Sequence, residues 1–149
     1  MSEPETMTID WIRESQFFIE TRRHRLLVDQ PADDGGRDGG MTPVELLIGA
    51  LGSCIGHFAA RFFLRHQLGV NRLQVTMTWD YAERPHRVGT ITARVHLQVA
   101  LEPEVLARLQ KVVEGCTVHN TLAAPPKILV QVEAPPLLLT KDRTAARDR

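Results

Sequence analysis

The sequence predicts an α+β domain with a largely antiparallel sheet. Three observations carry this. Leu73–Tyr81 and Ile91–Val99 place apolar residues at every odd position, the pattern of half-buried strands. A long apolar segment after Met41 opens with a complete helix-start signal. The elements follow the order three strands, a helix, two strands, a helix and a strand, not the strict alternation of a parallel α/β sheet.

In chain order, residues 1–7 read as a disordered start, 8–134 as a single domain and 135–149 as a C-terminal tail, prolyl and then charged. Thr8–Arg13, Gln16–Glu20 and His24–Asp29 are short β segments joined by polar turns, a meander. Pro31 to Gly40 is a loop with four glycines. No Gly-Lys-Ser/Thr follows, so turn geometry explains it better than a phosphate cradle. Thr42 then supplies a helix N-cap, Pro43 the first helical position and Glu45 the capping-box partner. The helix is expected to run to about Gln67, with its glycines able to kink or divide it. Ala82–Arg87, with Pro85, makes a hairpin of the two long strands. Pro103 opens a second helix with Val105, Leu106, Leu109, Val112 and Val113 at helical spacing, bending at Gly115-Cys116. Lys127–Glu133 is the last predicted strand. The first helix is apolar around most of its girth, more than one small sheet covers, which points to a homodimer.

Composition narrows the function. A net charge of zero gives no basic face for nucleic acid or an anionic membrane. The apolar stretch Leu46–Leu64 is interrupted by Gly49, Gly52, Ser53, Gly56, His57 and Arg61, as suits a buried helix. Met1–Asp10 is polar and acidic, unlike a signal peptide, and the chain has only two cysteines. Together these place it in a reducing, cytoplasmic setting, where a disulfide is transient.

Those two cysteines, Cys54 within the first helix and Cys116 at the end of the second, are the candidate chemistry. Each has the plain alternative of a small core residue. Gly52, Ser53 and Gly56 leave room around Cys54. His57 and Arg61 share its helix face, and positive groups favour the reactive thiolate. Cys116, beside a glycine at a helix end, is expected to be the more exposed and mobile thiol, as suits a resolving cysteine. Cys54-x-x-His57 and Cys116-x-x-His119 also form two matched pairs that suit zinc, although structural zinc pairs usually sit on turns rather than in an apolar helix. Glu45 is better explained by its cap than by catalysis. No cofactor motif stands out.

The segments Leu27–Pro31, Gly39–Cys54 and Cys116–Leu122 carry a resemblance. Over about Ile9 to Glu133 the chain resembles the OsmC/Ohr family of thiol-dependent peroxidases, in its OsmC-like branch. The resemblance implies an intertwined homodimer with sheets of both chains wrapped around central helices. It implies Cys54 as the peroxidatic thiol, Cys116 as the resolving thiol, and a disulfide between them. It further implies organic hydroperoxide substrates, a dithiol reductant (a lipoylated protein in some members) and a role in oxidative or osmotic stress. Characterised organic-hydroperoxide members carry a glutamate ten residues before the first cysteine. That position is Val44 here, with the acid at Glu45. They also use an arginine from the N-terminal strands, for which Arg13, Arg22 and Arg23 are candidates. His57 or Arg61 is an alternative tuning group. Two other readings stay open: a non-enzymatic module holding a small apolar ligand at the dimer interface, and a zinc-stabilised structural protein.

Overall fold

The computed structural model describes residues 5–69 and 72–135; most of both predicted ends lies outside these described residues. The domain is α+β. Strands β1 (Thr8–Arg13), β2 (Gln16–Thr21) and β3 (His24–Val28) form the expected antiparallel meander. Ile9 pairs with Ile19, and Phe18 with Leu27. The loop after β3 contains a short 3-10 turn at Ala32–Asp34. Helix α1 (Pro43–Arg65) starts as the sequence predicts. The Glu45 N–H donates to Thr42 Oγ1 at 3.2 Å, and the Thr42 N–H donates to Glu45 Oε2 at 2.8 Å. Its glycines neither break nor divide it. Gly52 instead admits a strand: a Cβ there would come within 2.9 Å of the Met77 side chain.

Strands β4 (Leu73–Ala82) and β5 (Arg87–Leu97) make a second antiparallel sheet, and helices α2 (Pro103–Glu114) and α3 (Thr117–Ala123) follow. The expected bend falls between α2 and α3, at Gly115-Cys116. The core is built on α1. Leu51, Ile55, Ala59, Phe62 and Phe63 bury against Leu109 and Val113 of α2 and against Cys116. Val75 and Met77 of β4 and Ile91 and Val95 of β5 close the other side. By length and composition α1 could cross a membrane; here one face of it is the core of the domain. Truncating Phe62 to alanine would remove about 3–5 kcal/mol of packing.

One predicted element is not there. Lys127–Glu133 is irregular, with Ile128 80% and Val132 93% exposed. A strand needs a neighbour for its N–H and C=O groups, and neither sheet pairs with this segment. Strand β1 of the first sheet is exposed along its length. Ile9 is 57% and Trp11 67% exposed, and no residue of this sheet joins the core cluster.

Candidate active site: a pair of neighbouring thiols

Helix α1 brings Cys54 to the core from one side, and the α2–α3 bend brings Cys116 from the other. Both are free thiols. Their exposures reverse the sequence-based expectation: Cys116 is fully buried, while Cys54, inside the long helix, is only partly buried. The physical reason is the bend. It turns residue 116 inward against α1, whereas Cys54 sits at the edge of the α1 core face, between Ser53 and Ile55.

Cys116 is the N-cap of α3, its sulfur accepting the His119 N–H at 3.4 Å. Burial pushes the Cys116 thiol above its ordinary value, and the adjacent Cys54 side chain adds to the rise. The N–H groups of His119 and Val118 pull the other way without overcoming burial. Cys116 therefore keeps its proton at neutral pH.

The tuning candidates are spread out. His57 is exposed and packs edge-on against Phe58, with centroids 6.1 Å apart. Arg61 is exposed and lines a groove with Phe58 and Phe62. Arg13 Nε donates to Gln16 Oε1 at 3.0 Å. Arg22 and Arg23 occupy the exposed turn between β2 and β3. These three arginines belong to the sheet that lies outside the thiol-bearing core. Val44 lines an apolar groove, and Glu45 is held in its capping box. Among the described residues no three His, Cys, Asp or Glu side chains gather as metal ligands would, so the Cys/His pairs gain no support as a zinc site.

Sequence reasoning missed the frame around Asp29. This buried carboxylate accepts from Gln16 Nε2 at 2.9 Å and from the N–H groups of Gln30, Arg37 and Gly39 at 2.8, 3.2 and 3.0 Å. Arg37 is held in turn by Glu14, at 2.7 and 3.0 Å. The loop that leads into α1 is thereby fixed. Gly36 makes it possible, because a Cβ there would overlap the Gln30 carbonyl. The only local signal was an aspartate ahead of a glycine-rich loop.

The family model of the OsmC-like proteins matches residues 35–131, from the glycine loop through α1, both thiols and α3. The chain belongs to the OsmC-like protein family. Solved structures of OsmC-like and neighbouring proteins share the fold. An OsmC-like protein from Mycoplasma pneumoniae aligns with a TM-score of 0.70 at 17% identity, over 84% of this chain and 91% of that one. A Psychrobacter arcticus protein, provisionally named for osmotic stress induction and detoxification response, aligns at 0.74 with 15% identity, over 81% and 90%. A Legionella pneumophila protein named as an organic hydroperoxide resistance protein OsmC aligns at 0.62 with 17% identity, over 81% and 91%. At these identities the likeness establishes the OsmC-like fold. No curated protein matches the chain in sequence.

Proposed function

We propose that this OsmC-like protein is a thiol-dependent peroxidase that reduces organic hydroperoxides in the cytoplasm. The observation that carries the reading is the pairing of a partly buried thiol with a fully buried, protonated one. Their environments support the following order of events. The Cys54 thiolate attacks one peroxide oxygen, the O–O bond breaks, and the alkoxide leaves and takes a proton from water as the alcohol. Cys54 is now a sulfenic acid. The Cys116 sulfur attacks the Cys54 sulfur; its own proton leaves with the hydroxyl as water, and a disulfide remains. A cellular dithiol, such as a lipoylated protein, reduces that disulfide by exchange and is itself oxidised. Because Cys116 keeps its proton, it does not compete for peroxide in the first step.

The working unit is an intertwined homodimer. Exposed Ile9 and Trp11, together with the apolar segment Ile128–Val132, are surfaces a second copy would cover. In that arrangement an arginine of the N-terminal sheet reaches Cys54 from the other protomer. Light scattering at micromolar concentration is expected to give a dimer; a stable folded monomer would refute this part.

The decisive measurement is intact mass after one equivalent of an organic hydroperoxide. Wild type is expected to lose two hydrogens as a disulfide, and Cys116→Ser to gain one oxygen on Cys54. A Cys54→Ser variant that consumes hydroperoxide at the wild-type rate would end the peroxidase reading. One observation favours the second reading, a module holding a small apolar ligand. A groove of about 890 Å³, lined by Val44, Leu47, Ile55, Ile91 and Leu109, opens beside α1. Absence of any disulfide after peroxide treatment would favour it.

A further inference from the structure

Farther along α1 from that apolar groove, and on another face of α2, lies a second groove, of about 490 Å³, between the C-terminal half of α1 and α2. Its volume falls within the roughly 300–1,000 Å³ of small-molecule sites. Its floor is apolar: Phe62, 6% exposed, with half-buried Phe58 and Val112. Its rim is cationic. Arg61 and Arg65, one turn apart on α1, face Arg108 and Lys111, one turn apart on α2. His66 packs over Phe62 with centroids 4.4 Å apart.

Among the described residues no carboxylate lines this groove. Glu114, near Lys111 on α2, takes a hydrogen bond from Gln110, and both line the apolar groove instead. Among the described residues the ion pairs are Arg25–Glu20, Arg37–Glu14 and His86–Glu83, none of them in the groove. The chain as a whole is neutral, so this cluster is a local excess. Helix-end electrostatics accounts for Arg65 and Lys111, which sit in last helical turns. It does not account for Arg61 and Arg108.

Four permanent cations around a phenylalanine floor match a molecule with one anionic head and one hydrocarbon tail. The guanidinium fork suits a carboxylate, and the floor removes the tail from water. A small hydrated anion would leave the floor uncovered. We propose that this groove binds a single-chain carboxylate amphiphile. On α1 the groove begins one helical turn after Cys54, at Phe58.

The test uses the full-length protein and three probes of one chain length, each below its aggregation concentration: decanoate, decanol and decyltrimethylammonium. Titration calorimetry is expected to show decanoate binding at least about tenfold tighter than decanol, weakening with added salt, and no binding of the cation. The double variant Arg108→Glu/Lys111→Glu is expected to lose about tenfold or more in decanoate affinity. Leu106→Gln, in the apolar groove, is expected to leave it unchanged. Should the double variant fail to fold by circular dichroism, the exposed single changes Arg108→Gln and Lys111→Gln provide the same reading. Equal affinity for decanoate and decanol would overturn the proposal. So would undiminished binding in the charge variants, or an acidic peptide binding where decanoate does not.

Discussion

Among the described residues Asp29 and Cys116 are the two largest side chains with no exposure at all, and their acidities shift in opposite directions. Asp29 is held down to about 2, first by the Gln16 amide and then by the N–H groups of Gly39, Gln30 and Arg37, which together outweigh burial. Cys116 is pushed up, because burial leads and its N–H contacts do not compensate. Burial alone therefore does not set a charge state; the donors supplied with it do. The two surroundings match two kinds of work. A carboxylate with every partner in place fixes the loop that starts α1. A neutral thiol among apolar groups, at a bend, suits the proposed role of closing a sulfur–sulfur bond.

The largest expected effect breaks the first member of this pair. Asp29→Ala strands Gln16 and the loop N–H groups and is expected to lower the Tm by about 10 °C or more. Cys116→Ala, an equally buried truncation, should cost only a few degrees. Equal losses by calorimetry would show that the contrast in bonding carries no stability. Reactivity comes next. At neutral pH, Cys54 is expected to alkylate at least about tenfold faster than Cys116, read by peptide mass spectrometry. Faster labelling of Cys116 would reverse the assigned roles.

The pH limbs sharpen the comparison further. The folded Asp29 carboxyl lies below its ordinary 3.8, so its contribution is fully present above about pH 4 and is lost as pH falls toward about 2. Asp29→Asn is expected to flatten chemical unfolding over that window. Cys116 is raised when folded, so its contribution holds below the unfolded thiol value of about 8.5 and declines as pH rises beyond it. This is the smallest effect, and Cys116→Ala should abolish it. An alkaline limb unchanged in that variant would assign it to other groups.

What could be read from the sequence was what local chemistry determines. The capping box of Thr42 and Glu45, the odd-position alternation of β4 and β5, and the bend at Gly115-Cys116 depend on neighbours a few residues apart. Both thiols stood out for the same reason. The rest depends on distant parts of the chain. The burial of Cys116 follows from how α2 and α3 meet α1, and no spacing encodes that. Arg61 and Arg108 are far apart in sequence and become neighbours across a groove only through helix packing. Lys127–Glu133 has strand-like residues, but strand formation depends on an edge to pair with, and among the described residues the segment has none.

The Cys116 sulfur accepts the N–H that opens α3. A sulfur drawn into a bond with Cys54 turns away from that N–H, and a helix of seven residues has few other bonds to hold its first turn. Oxidation would then be legible from outside the site as fraying of α3, visible as faster hydrogen exchange at the His119 amide; unchanged exchange in the oxidised protein would refute this. A reductase could in that way sense, from the surface, that a buried bond is waiting for it.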